Sequence, residues 1–144
     1  MPIDIDEAKN LCPNYNRSIL SCNIQSFNKN HDSIKALISE VKPSIISLQE
    51  IWDPKITMDL PNYHPPLKFI WPLRAILIKD NLMYENFEAI DKLNCEFVEK
   101  IAVKIVDSNC KTFLLISLYR PPGNNFKSCI NDIREILTPC CLYL

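Results

Sequence analysis

Three short runs decide what this chain can become: "SIISL" at 44–48, "RAILI" at 74–78 and "FLLISL" at 113–118 are almost continuously apolar. A strand with one wet face alternates apolar and polar residues, whereas a strand apolar at nearly every position is covered on both faces. The chain must therefore build a sheet with a layer on each side. Only two segments show the 3.6-residue period of a covering helix. From His31 to Lys42, the residues Ile34, Leu37, Ile38 and Val41 fall at i, i+3, i+4 and i+7; Asp32 or Ser33 can cap the start and Pro43 stops the run. From Asn125 to Leu137, the residues Phe126, Cys129, Ile130, Ile133 and Leu137 share a face before Thr138-Pro139 breaks it. Two helices cover only part of such a sheet, so the runs predict a layer that these residues do not supply.

The first helical stretch lies between two strands, "RSILSCN" and "SIISLQE". Strand, helix and strand in that order make a β-α-β unit with parallel strands and a right-handed crossover. Asn23 and Glu50, just past the two strands, then share the carboxyl edge of the sheet, where open α/β sheets place ligands. Neighbouring strands lie ~4.8 Å apart, close enough for both side chains to serve one site. Further on, residues 53 to 73 carry five prolines and no period, which predicts a loop. After it "RAILIK" predicts a strand, "NFEAI" another, and "EKIAVKIVD" with "KTFLLISLY" an antiparallel hairpin across "DSNC". Residues 1–16, with Pro2 and Pro13 and no sustained period, read as a leader of uncertain structure ahead of a domain over 17–144.

Composition removes several function classes. The chain holds one glycine, Gly123, in 144 residues, so neither the P-loop nor the three-glycine dinucleotide fingerprint can be present. With 16 Lys and Arg against 17 Asp and Glu, the net charge is -1, so any contact with nucleic acid must be local rather than driven by a bulk field. No apolar stretch approaches the ~18 residues of a membrane span. Seven cysteines, an odd number without CxxC spacing, and no basic-then-apolar leader suggest an intracellular, reducing setting, nuclear or cytoplasmic. Cys22, Cys95, Cys110 and Cys129 then read as small buried hydrophobes, and the adjacent Cys140 and Cys141 give no ligand geometry.

"ILSCNIQSF", "KPSIISLQEIW" and "LISLYRPPG", in this order and separation, resemble the endonuclease/exonuclease/phosphatase superfamily, and most closely the endonuclease domain of non-LTR retrotransposons. The resemblance covers roughly residues 17 to 137, the N-terminal half of that domain. It implies an α/β fold, half of a four-layered sandwich of mixed sheets with flanking helices, and Mg²⁺-dependent hydrolysis of phosphodiester bonds in DNA. The family's metal-binding carboxylate matches Glu50, an oxygen ligand of the kind a hard cation requires. Asn23 matches the family asparagine beside the metal; the same residue can equally satisfy the backbone of the turn it enters. Gln49 has at most a supporting role.

Tyr119 matches the tyrosine whose phenol hydrogen-bonds the scissile phosphate, and it competes with a reading as a hairpin core aromatic. Arg120 could contact DNA phosphate, since its fork suits that geometry. Pro121 and Pro122 fix an extended exit from the strand, and Asn124 reads as a helix cap. Neither His31 nor His64 matches the family histidine: His31 reads as a surface residue at a helix start and His64 as loop. Trp52 and Trp71 read as core or loop-packing residues.

Two departures qualify the resemblance. The family's Gly-Asp-x-Asn and Ser-Asp-His segments are not found in these residues, which end "TPCCLYL", so a truncated, inactive copy is expected. In "WPLRAILIK" the glycine-rich turn before the strand is missing, which predicts loss of a hairpin connection. The competing reading is a non-catalytic interaction module, its uncovered apolar sheet face driving self-association or capture of a complementary half-domain. A sphingomyelinase-like or phosphoinositide phosphatase branch shares "LQE", but "YRPP" favours the retrotransposon branch.

Overall fold

A computed structural model describes residues 18–52, 60–64, 67–70, 74–106 and 112–140, with only the backbone described for 67–70. The leader, Trp71, Cys110, Cys141 and the "DSNC" turn lie outside the described residues. The chain divides after Asn81 into two compact units, each continuous in sequence.

The first unit holds strand β1 (Ile19–Asn23), helix α1 (Phe27–Val41), and strands β2 (Ile45–Gln49), β3 (Leu67–Ile70) and β4 (Arg74–Ile78). Its mixed sheet has the order β1-β2-β4-β3. β1 and β2 pair in parallel, Ile19 opposite Ile45 through Asn23 opposite Gln49, as the β-α-β reading predicts. On one face α1 lays Phe27, Ile34 and Ile38 against Ile46, Leu48, Ala75 and Leu77. On the other face Ile45, Ser47, Arg74, Ile76 and Ile78 are buried as well. The apolar runs of β2 and β4 are thus covered on both sides, as their composition requires.

α1 starts four residues before the expected His31, so neither Asp32 nor Ser33 caps it. Its N-cap, Ser26, makes no side-chain capping hydrogen bond. At the other end Lys42 adopts the left-handed conformation and donates its N–H to the Ile38 carbonyl at 2.8 Å. This closes the helix just ahead of Pro43.

The expected loop over 53–73 is corrected at Leu67–Ile70, which pairs antiparallel with β4, Leu67 opposite Ile76 and Ile70 opposite Arg74. The hairpin that the missing glycine-rich turn was expected to remove is therefore present, with three residues between the paired positions 70 and 74. A short connection suffices because antiparallel neighbours need no crossover.

The second unit holds β5 (Met83–Asn86), a one-turn helix α2 (Glu88–Asp91), β6 (Glu99–Val106), β7 (Thr112–Tyr119) and α3 (Phe126–Cys140). Its sheet is antiparallel in the order β5-β6-β7. β6 and β7 form the predicted hairpin, in register from Glu99 opposite Tyr119 to Val106 opposite Thr112. β7 is an outer strand of this sheet, and Phe113 is 38% exposed, so its apolar run is only partly covered, contrary to expectation.

"NFEAI" is not a strand: Asn86 ends β5 and Glu88–Asp91 turn helically. There buried Ile90 anchors the turn, and Lys92 pairs with Glu88 at 2.6 Å. α3 runs through Thr138-Pro139, because a missing N–H in the last turn costs one bond rather than the helix. Its buried face is Cys129, Ile136 and Cys140 with Ile133 alongside, while Phe126 and Leu137 are 67% and 48% exposed. The cap is Asn125, whose side chain accepts the Lys127 N–H at 2.8 Å. Asn124 instead donates its amide to the Phe97 carbonyl at 3.1 Å.

Candidate functional site

The strand edge where β1 and β2 end is built by an interlocked loop. The N–H groups of Ile24, Ser26 and Phe27 donate to the carbonyls of Gln49, Glu50 and Ile51 at 2.9, 2.8 and 2.9 Å. Asn30 in α1 reaches back to donate its amide to the Ile24 carbonyl at 2.7 Å. The two chain exits are thereby held side by side, with Asn23 opposite Gln49 and one residue before the level of Glu50.

This edge concentrates backbone conformations that side-chain-bearing residues rarely adopt. Gln25, Ser26, Glu50 and Trp52 have φ of 43°, 87°, 56° and 61°. Left-handed backbone costs roughly 1–2 kcal/mol per residue away from glycine. Four such residues in one loop pair persist only because the surrounding hydrogen bonds over-determine them.

Asn23 is exposed, and its Oδ1 accepts the Gln25 N–H at 3.3 Å. That is the turn-satisfying role of the two read for it in the sequence. Its amide N–H₂ and the second lone pair of Oδ1 stay available to a ligand. Glu50 is half-buried. The ladder continues Asn23 and Gln49 into Arg74 on β4, so three polar residues form one row across the sheet, on the face away from α1. Arg74 is 1% exposed. Its signal in the sequence was a lone charge heading a five-residue apolar strand.

Tyr119 and Arg120 belong to the second unit. Tyr119 ends β7 on the sheet face opposite α3, half-buried, in register with Glu99. The Arg120 guanidinium donates to the Asn124 carbonyl at 3.0 Å and so braces the turn that follows. In that turn the Asn124 N–H donates to the Pro121 carbonyl at 3.4 Å and Gly123 has φ of 90°. Pro122 and Gly123 thus occupy the positions that a type II turn reserves for proline and for positive φ.

His31 lies within α1, its ring edge-on to Phe27 at 5.1 Å, with Nδ1 3.0 Å from Asp32. His64 lies in a loop, 3.8 Å from Asp80. Trp52 is 60% exposed rather than packed, and its φ is positive. Cys129 and Cys140 are buried; burial pushes the thiols of half-buried Cys22 and Cys95 up.

The donor chemistry at the carboxyl edge suits a hard divalent cation in one respect. Magnesium takes one or two carboxylates and otherwise water and phosphate oxygens, and Glu50 supplies one carboxylate at the strand edge that Asn23 also ends. Among the described residues no three His, Cys, Asp or Glu side chains gather into a cage.

Together these elements define an α/β domain with two sheets and helices, consistent with part of an endonuclease-type fold. A solved structure similar to it is the endonuclease domain of TRAS1, a telomere-specific non-LTR retrotransposon, with a TM-score of 0.60 at 15% sequence identity. The match covers 83% of this chain and 53% of that one, so this chain spans about half the length of its neighbour. At this identity the likeness is one of fold. No protein-family model matches the chain, and no curated protein matches it. Among the described residues no helix is long and apolar enough to cross a membrane.

Proposed function

We propose that the chain carries the metal-holding strand edge of a nuclease-like domain acting on DNA phosphodiesters, and that these residues alone do not turn over substrate. Glu50 holds a Mg²⁺ ion and Asn23 hydrogen-bonds a phosphate; in the second unit Tyr119 donates its phenol to phosphate and Arg120 contacts DNA. The observation that supports this reading is the strained, hydrogen-bonded loop pair that fixes Glu50 beside the end of β1, since strain of this kind gathers at functional sites.

When bound, the metal would polarise a phosphoryl oxygen. The protein's part is positional. The Ser26 amide fixes the Glu50 carbonyl, which sets where the carboxylate begins, while the Asn23 carbonyl oxygen holds its own turn and leaves the N–H₂ group to donate. A general base is the missing role: the residues include neither Gly-Asp-x-Asn nor Ser-Asp-His. Loss of even one preorganised group costs ~10²–10³ in rate.

The test has two arms. Supercoiled plasmid incubated with the chain and Mg²⁺ should stay supercoiled; nicking that disappears in Glu50→Ala would overturn the inactivity. Mn²⁺, titrated as a paramagnetic probe, should broaden amide signals at 23–27 and 49–51 in the parent chain and not in Glu50→Gln. Equal broadening in both would remove Glu50 as the ligand.

A further inference from the structure

The opposite end of the same sheet carries a second candidate site. β2 enters at Ile45, roughly 13 Å of strand from Gln49 at ~3.3 Å per residue, and β4, running the other way, leaves beside it at Ile78. The Lys79 N–H donates to the Ser44 carbonyl at 3.0 Å, and the Asp80 N–H to the Asn62 carbonyl at 3.0 Å. These bonds and the Tyr63–Lys79 bridge hold the 60–64 loop against the entrance of β2. A cleft of about 560 Å³ opens there, within the size range of small-molecule sites.

Three lysines line this cleft from two segments: Lys35 on α1 and Lys42 at its C-cap, and Lys79 after β4. Lys35, Ser39 and Lys42 stand at i, i+4 and i+7, one face of the helix. Lys42 has a structural reason to be there, because a cation at a helix C-terminus complements the dipole. Lys35 and Lys79 have no such reason. No carboxylate lines the cleft among the described residues, and the neighbouring Asp80 faces His64. In a chain of net charge -1, this is a local concentration of positive charge.

The floor is apolar: Ile38 and Leu60 are buried, and the Tyr63 ring is pinned by its hydroxyl, which donates to the Pro43 carbonyl at 2.5 Å. Ser39 and Asn62 add neutral hydrogen-bonding groups. Lysines as point charges suit phosphate, and a fixed aromatic ring suits the face of a base.

We propose that this cleft binds a phosphate ester carried on an aromatic base, either a free nucleotide or a nucleotide within a nucleic-acid strand. Lys35, Lys42 and Lys79 hold the phosphate, and Tyr63 carries the base. The site is separate from the Glu50 edge and does not depend on the function proposed there.

The experiment measures anisotropy of a short fluorescein-labelled single-stranded oligodeoxynucleotide and, in parallel, calorimetric binding of adenosine 5′-monophosphate, with the full chain. Lys35→Ala/Lys79→Ala should weaken binding of whichever probe binds by about tenfold or more, with an unchanged circular dichroism spectrum and melting curve. For the strand, the log–log salt slope should fall by ~0.7 for each lysine removed. Binding by both probes assigns the pocket to a free nucleotide, and binding by the oligonucleotide alone assigns it to a strand. Amide shifts should map to Ser39, Asn62 and Tyr63. No binding by either probe, binding undiminished in the double variant, or no shifts at Ser39, Asn62 and Tyr63 would overturn the proposal.

Discussion

The Ser26 N–H donates to the Glu50 carbonyl at 2.8 Å, and both residues hold positive φ, 87° and 56°. A hydrogen bond between two strained turns links the exit of β1 to the exit of β2, so neither turn can relax without breaking the other. The strain therefore reports how firmly the edge is fixed, and it leads to the first prediction.

Ser26→Gly should stabilise the chain by about 0.5–1 kcal/mol. Relief of left-handed backbone is worth roughly 1–2 kcal/mol, and glycine's freedom in the unfolded chain returns ~0.5–1 of that. Ser26 makes no side-chain capping bond to lose. Urea melts read the change, and Ser26→Val should move the midpoint the opposite way.

Gly123→Ala should destabilise by about 1 kcal/mol. An added Cβ would meet nothing within 4 Å, so the cost is conformational alone, from φ of 90°. Gly123→Asn should cost less, since asparagine tolerates this region better. Equal melting curves for alanine and glycine at this position would show that the turn relaxes.

Tyr63 makes stability fall at high pH. Burial pushes its phenol from 10.0 up to about 12, so the unfolded chain ionises this tyrosine first. The contribution is complete below pH 10 and is lost as pH rises from 10 toward 12. Ultraviolet titration should show a late-titrating tyrosine that is absent in Tyr63→Phe. That variant loses the hydrogen bond to Pro43, about 1 kcal/mol at neutral pH, but has a flatter stability profile between pH 10 and 12.

Asp132→Ala should cost roughly 2–3 kcal/mol. Its Oδ2 accepts the N–H groups of Phe97 at 2.7 Å and Val98 at 3.0 Å, tying α3 to the start of β6, and bonds to a charged acceptor are worth ~1.5–3 kcal/mol. Asp132→Asn should recover part of this. A loss below that of a surface substitution in chemical denaturation would show that water replaces the carboxylate.

The β-α-β unit was legible because its segments alternate between strand and helix periods, and the same order puts Asn23 and Glu50 at one edge. β3 was not legible, because prolines around Leu67–Ile70 mask a four-residue strand whose partner lies only three residues beyond its end. "NFEAI" misled because a single helical turn is too short to show a period. On α3 Cys129 and Ile133 of the expected stripe face the core, whereas Phe126 and Leu137 are exposed and Ile136 and Cys140 carry the rest of the burial. Asp132 acts through long-range partners, which no local pattern reveals. The strained turns at 25–26 and 50–52 were invisible because positive φ is usually announced by glycine, and this chain has only one.

No strand ladder among the described residues joins the residues before Asn81 to those after it. A break in the covalent chain between Asp80 and Leu82 therefore cuts no β-pairing, and this stretch, exposed at Asp80 and Asn81, is where the sequence should accept a foreign insert or a new pair of termini. The chain could then be made as two fragments, each keeping its own hydrogen-bonded sheet.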